Sequence, residues 1–390
     1  MVHLRSGSQT TSTREVHVVT GGGGYVGQRL GTALRQRGHD VVLFDINQPT
    51  NIPGGCKIVK GDIRSADDVE RALTGADCVY HLASYGMSGR EQLNVKLIEE
   101  VNVDGTENVI EACLHCGVSR LVYTSTFNVV FGGQVIENGD ESLPYLPLEK
   151  HPDHYSRTKS IAEQKILKAN GTKVDSGTTL QTCALRLAGV YGPGEQRHFP
   201  RIVSYIENGF FRFTYGKRES LVEFLHVDNL VQAHILAGQA LAKQHSLAAG
   251  QPYFISDCKP VNNFEFMRPL VEGLGYSFPK IALPLSFIYF LAFLLEVLHL
   301  IVGRVYNFQP LLTRTEVYKT GVTHYFSNNK AKEELGYEPS VQNDIQGVLK
   351  WCLANGHGRK RPSKFKIFIM DLIIGILFAA LVMSFLPYVK

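Results

Sequence analysis

Eight residues constrain this chain more than any others: Thr20-Gly21-Gly22-Gly23-Gly24-Tyr25-Val26-Gly27. A short apolar run, Val16 to Thr20, precedes the glycines, and an amphipathic stretch, Tyr25 to Arg37, follows them. The pattern is strand, tight turn, helix. Gly21 permits the turn, Gly24 lets backbone approach a pyrophosphate, and Gly27 lets helix and strand lie close together. The helix N-terminus then offers N–H groups and a positive dipole end to an anion. Glycines alone describe a flexible turn. The flanking elements, and an acid at the right distance, make this one a nucleotide loop.

That acid is Asp45, closing the second strand (Val41 to Asp45) roughly 20 residues downstream. A carboxylate there accepts bonds from the adenosine ribose hydroxyls and repels the 2′-phosphate of NADP. Ile46 and Asn47 bring no cation to reverse this, so the expected cofactor is NAD. Asp62-Ile63 follows the third strand and is placed to lie over adenine; spacing alone equally allows Asp62 to cap a helix.

Apolar runs and amphipathic stretches alternate onward: strands at Cys56 to Lys60, Cys78 to Leu82, Arg120 to Thr124 and Thr182 to Arg186, helices at Val95 to Cys116 and Tyr155 to Asn170. This rhythm is that of βαβ units, and predicts an α/β fold with a Rossmann-like doubly wound parallel sheet. The expected organisation is a flexible N-terminus over 1–15, a nucleotide-binding domain over 16–190, and a smaller substrate region over 191–358. A basic linker over 359–366 and a transmembrane helix over 367–387 complete it. A net charge of +4 without a basic stripe argues against nucleic acid as a partner. Seven irregularly spaced cysteines make no disulfide framework, and the Cys113–Cys116 pair reads as helix packing rather than a metal site.

The C-terminal run Ile367 to Pro387 carries one charge, Asp371, over a length that crosses the roughly 30 Å hydrocarbon core. Arg359, Lys360, Arg361, Lys364 and Lys366 precede it, and only Lys390 follows. By the positive-inside rule the main body faces the cytosol. Such an anchor makes membrane lipid a partner and the endoplasmic reticulum the expected location. Ile281 to Val302 is also apolar, but carries Glu296 and His299. A single crossing there would separate residues 303–366 from the body they complete, so a monotopic or re-entrant helix is expected.

Tyr155-Ser156-Arg157-Thr158-Lys159 places a phenol and an ammonium on one helix face, i to i+4. A free tyrosine has a pKa near 10, and a neighbouring ammonium would lower it toward a working base. Tyr123-Thr124-Ser125-Thr126 ends the fifth strand, at the edge where ligands collect in such sheets. Spacing leaves open which hydroxyl would hold a substrate carbonyl, and any of them could instead cap the next turn.

Taken in order, the glycine loop, His81-Leu82-Ala83, the Asn102 to Val109 run, Tyr123 to Thr126, Tyr155 to Lys159 and the Tyr191 to Gly194 turn resemble the extended short-chain dehydrogenase/reductases. Val227 to Ala237 and the late apolar segment are similar to their 3β-hydroxysteroid dehydrogenase/isomerase branch. The resemblance implies Tyr155 as proton donor and acceptor and Lys159 as ribose ligand and modulator of the phenol. It implies Thr126 as the active hydroxyl, with Ser125 the second choice, and Asn102 as the residue that steadies a strand near the site. Two departures stand out. A proline expected after Arg186 is Leu187, and the arginine with which sugar-nucleotide relatives hold a diphosphate is Val222.

The expected activity is therefore NAD-dependent oxidation or reduction of a small apolar alcohol or ketone, a steroid or sterol. A nucleotide-sugar epimerase or dehydratase is the alternative enzyme, and a membrane-tethered NAD-binding scaffold the non-catalytic one. A homodimer is the expected assembly of such relatives.

Overall fold

A computed structural model describes residues 14–48, 54–87, 89–302 and 312–359, together with Phe368, Leu372 and Gly375. Seven strands form one parallel sheet: β1 (Val16–Thr20), β2 (Asp40–Asp45), β3 (Lys57–Lys60), β4 (Cys78–His81), β5 (Arg120–Thr126), β6 (Gln181–Leu187) and β7 (Gln251–Ile255). Their spatial order is β7-β6-β5-β4-β1-β2-β3. The order reverses between β1 and β4, and a ligand crevice opens at such a switch point. Both faces of the sheet are covered, which explains why the strands read as unbroken apolar runs. In β1, Val19 packs with Leu30 and Leu34 of α1 (Tyr25–Gln36), while Val18 joins Val69 of α2 (Ala66–Leu73) on the opposite face.

The helix expected over Val95 to Cys116 is present with a twist in it. Val95–Glu99 and α3 (Gly105–His115) are joined by a π-helical turn over Glu100–Asp104, at whose centre Asn102 is buried. Such a turn inserts a residue and re-aims the next side chains. Beyond it, α4 (His154–Lys168) carries the Tyr155 to Lys159 pair and packs on β5 and β6. The strand β7 arises from the later part of the chain, beyond the boundary drawn at 190. A helix over Val227–Leu241, α5, lines the same sheet face as α1.

A smaller lobe gathers around Tyr191, Phe199, Phe224, Phe266 and Leu270. Beside it, Ile281–Leu283 pairs with Phe213–Tyr215, and after Pro284 the helix α6 (Leu285–Val302) begins. Ile288 and Ala292 of α6 are buried against Tyr215, Phe264 and Val317, while Phe290, Phe293, Leu294 and Leu298 are exposed. Glu296 accepts bonds at 2.7–2.8 Å from the Arg314 side chain and backbone N–H. Arg314 opens α7 (Arg314–Gly321), so the chain after α6 returns to the same body. Among the described residues no helix is long and apolar enough to cross a membrane. The span expected over 367–387 lies outside the described residues, apart from Phe368, Leu372 and Gly375, as does most of the basic linker.

Candidate active site

A single cavity of about 1100 Å³ runs along the carboxyl edge of the sheet into the smaller lobe. Every residue singled out as a site candidate lines it: Gly21, Gly24, Gly27, Asp45, Asp62, Ile63, Ser125, Thr126, Tyr155 and Lys159. They come from the carboxyl ends of four strands and from two helices, so only the parallel sheet brings them together.

At the nucleotide end, Gly21 sits at φ +68°, a conformation costly for any residue with a Cβ. A Cβ on Gly27 would lie 2.4 Å from the Gly21 carbonyl oxygen, so α1 can approach the loop only with glycine there. Asp45 accepts from the Gly23 N–H at 3.0 Å and the Asn47 N–H at 2.8 Å, which fixes its carboxylate at the loop's mouth. The cradle and the acid fit a dinucleotide without a 2′-phosphate.

Asp62 does not cap α2; Ser65 does, accepting from the Asp68 N–H. The Asp62 carboxylate instead meets Arg64, with contacts of 2.6–3.1 Å, and Arg64 also reaches Glu100 at 3.1 Å. The guanidinium holds the Asp62 carboxyl below the usual carboxylate range. Arg64 is thus a cavity cation that the spacing argument missed, and it is already engaged. Ile63 is buried against Gly105, where a Cβ would come within 2.2 Å of its side chain.

At the other end the three adjacent hydroxyls have separate fates. Thr124 Oγ1 lies 2.7 Å from His234 Nε2. Ser125 donates to the buried Glu163 carboxylate in a very short hydrogen bond. Thr126 Oγ1 only accepts, from the Asn128 N–H at 3.3 Å, as the cap of a short turn. Its proton is the one left to point into the cavity.

The Tyr155 phenol is pushed up to about 12, first by burial, against opposing contributions from the Arg197 charge and the Ser84 hydroxyl. The lowering expected from the Lys159 ammonium is not among these contributions. Lys159 Nζ instead donates to the Thr124 carbonyl at 2.6 Å and stands 4.0 Å above the Tyr123 ring. Burial lowers the ammonium to about 7, against the Glu163 charge. Asn102 holds both Tyr85 backbone groups, at 2.8 and 2.9 Å, and donates to Thr158 Oγ1 at 3.0 Å, so it steadies a loop and the catalytic-face helix rather than a strand.

The wall opposite Tyr155 is mostly aromatic and aliphatic, with Phe199, Phe211, Phe213, Tyr215, Phe264 and Met267 among it. Leu187 and Val222, the two positions at which the resemblance leads us to expect proline and arginine, line it too. Three cations also reach the wall, each beside an acid: Arg197 by Glu91 at 3.6 Å, Arg201 by Glu316 at 2.5 Å, and Lys319 by Asp153 at 3.3 Å. They are scattered over 120 residues, and no periodicity announces them.

Comparisons with known proteins agree with this geometry. The 3-beta hydroxysteroid dehydrogenase/isomerase family matches residues 18–285. The zebrafish (Danio rerio) protein named short-chain dehydrogenase/reductase family 42E member 1 is 64% identical over 376 residues, covering 95% of this chain and 97% of that one. Mouse (Mus musculus) sterol-4-alpha-carboxylate 3-dehydrogenase, decarboxylating, is 36% identical over 342 residues, covering 88% and 91%. The solved structure of MoeE5 with UDP-glucuronic acid and NAD superposes with a TM-score of 0.65 at 22% identity, covering 87% and 99%, which shows a shared fold. The chain is a member of the 3-beta hydroxysteroid dehydrogenase/isomerase family, an oxidoreductase branch of the extended short-chain dehydrogenase/reductases.

Proposed function

We propose that this protein is an NAD-dependent dehydrogenase acting on the secondary alcohol of a lipid-soluble hydroxysteroid or sterol. The observation that carries the reading is the continuity of one cavity, from the glycine cradle past Tyr155 and Thr126 to an aromatic wall. Gly21, Gly24, Gly27 and Asp45 would hold the dinucleotide, with Asp62 and Ile63 toward adenine and Lys159 toward the nicotinamide ribose. Bound there, NAD supplies a hydride acceptor. Thr126 donates to the substrate oxygen and fixes the carbinol carbon in line. Tyr155 Oη, ionised, takes the hydroxyl proton and becomes the phenol as the C–H bond breaks and the ketone forms; in the reverse direction the phenol returns that proton. Lys159, held by the Thr124 carbonyl, supplies the positive charge that steadies a transient phenolate.

A sugar nucleotide is the second reading, supported by the shared fold of the UDP-sugar-bound neighbour. Against it, a diphosphate needs cations free to pair with it. Val222 offers none, and Arg197, Arg201 and Lys319 each already face a carboxylate.

The anchor over 367–387, with its basic approach, belongs to the same reading, because an apolar alcohol concentrates in lipid. It would hold the body on the cytosolic face of the endoplasmic reticulum. The test is NADH formation by detergent-solubilised protein over 3β-hydroxysteroids, neutral sterols, 4-carboxysterols and UDP-sugars. Turnover of a sterol, cut by about 10²-fold or more in Tyr155→Phe, is the expected result. Turnover of UDP-sugars alone would overturn it.

A further inference from the structure

At the amino-terminal edge of the sheet, opposite the cofactor cavity, three metal-ligand side chains converge. Glu15 lies just before β1, His17 within it, and His39 in the turn that leads into β2. One donor atom from each lies within 4.8 Å of the others. The strand register makes this meeting, since Val16 stands beside Asp40 across the β1–β2 ladder.

The polar accounting of the cluster is incomplete without a further group. His17 is 3% exposed, yet both of its ring nitrogens are buried without a hydrogen-bond partner, as is Nδ1 of His39. The two rings meet edge to face with centroids 4.5 Å apart, so neither bonds the other. His17 Nε2 is 3.2 Å from Glu15 Oε2, but off hydrogen-bond geometry. Buried polar atoms are nearly always paired, and three orphans in one cluster call for a cause. Meanwhile Glu15 Oε1 accepts from Arg120 Nη2 at 2.8 Å, which fixes the carboxylate and leaves Oε2 turned toward the imidazoles. A hydrogen-bond partner behind the carboxylate typically orients it for a metal. The Arg120 charge opposes a cation here. Glu15 and the nearby Asp77, which accepts from the Val16 N–H, offset it.

We propose that Glu15, His17 and His39 bind a divalent cation of the zinc class. Two imidazoles and one carboxylate are a donor set for such ions, with water completing the tetrahedron on the half-exposed side of Glu15 and His39. The ion would clip the segment before β1 to the start of β2, far from the reacting groups, so its role is structural.

The test uses full-length, detergent-solubilised protein, stripped with a chelator and dialysed against micromolar zinc. Wild type should retain about one zinc per chain and gain several degrees in Tm. His39→Ala and Glu15→Gln, both at half-exposed positions, should lose the zinc and the gain while still binding NAD, which reports an intact fold. Cys116→Ser should keep both. Cobalt in place of zinc should give visible bands without a thiolate charge-transfer band. Zinc-free wild type, zinc retained by His39→Ala, or a cobalt–thiolate spectrum pointing to Cys113 and Cys116 would each overturn the proposal.

Discussion

Glu163 shows what a single residue does that a motif does not announce. It sits one helical turn beyond Lys159, fully buried, and joins three active-site elements. Ser125 of β5 and Tyr145 donate to it, and Arg186 of β6 meets it at 2.8–2.9 Å. Its charge is the contribution that opposes the desolvation of Lys159. Glu163→Gln should therefore move Lys159 below about 7, so that less ammonium remains at neutral pH. The alkaline limb of the kcat profile should shift toward acid, with about tenfold loss for each pKa unit on that limb. The same change strands Arg186 and should cost about 3 kcal/mol of stability, read as a lower Tm. Gly27→Ala tests the loop: the clash with the Gly21 carbonyl should weaken NAD affinity by about tenfold or more in a fluorescence titration. At this scale the sequence identifies Tyr155 and Lys159 by their helical spacing. It cannot choose among Thr124, Ser125 and Thr126, because their partners, His234 and Glu163, are brought to them by other elements.

Among the elements, α6 is the one whose composition conflicts most with a soluble body. Its buried side, Ile288 and Ala292, fills a niche between Tyr215 and Val317, while its outer side presents phenylalanine and leucine. The two sides should respond differently. Ile288→Ala leaves a cavity and should cost about 2–4 kcal/mol, measured by denaturant unfolding in detergent. Phe293→Ser with Leu298→Ser changes exposed positions, so unfolding should move by less than about 1 kcal/mol. A face that rests on lipid should nevertheless bind liposomes more weakly in that double variant, read by flotation. Hydropathy alone reveals an apolar stretch over 281–302. Its lateral placement follows from the Glu296–Arg314 contact and the return of α7, which are tertiary facts.

For the molecule as a whole, buried histidines set the response to acid. His17, His234 and His324 are lowered to about 4 and His81 to about 3, each chiefly by burial. The unfolded chain takes up these protons near pH 6.5 while the folded one resists, so stability is full above about 6.5 and falls toward about 4. Glu223, raised to about 7 by burial, works the other way between about 4.5 and 7. With His151, His198 and His226 also lowered by burial, seven histidines stand against the raised Glu223, Glu141, Asp257 and His115, and that balance decides the sign: Tm should drop steadily from pH 7 to pH 5 in a buffer series. A flat profile would mean that the histidines are protonated in the folded state.

Six of the sheet's seven strands, the glycine cradle, Asp45 and the Tyr155–Lys159 pair were readable from the chain alone, because each rests on local periodicity or a short spacing. Strand alternation, helical i to i+4 and the turn demands of glycine act over a few residues. Tertiary structure decided the rest: which hydroxyl is free, that Lys159 leans on the Thr124 carbonyl, that Arg64 reaches Glu100, and that α6 lies along the body. Those outcomes depend on contacts between residues tens to more than a hundred positions apart. Burial, which sets the charges of Tyr155 and Lys159, exists only once the chain has closed around them.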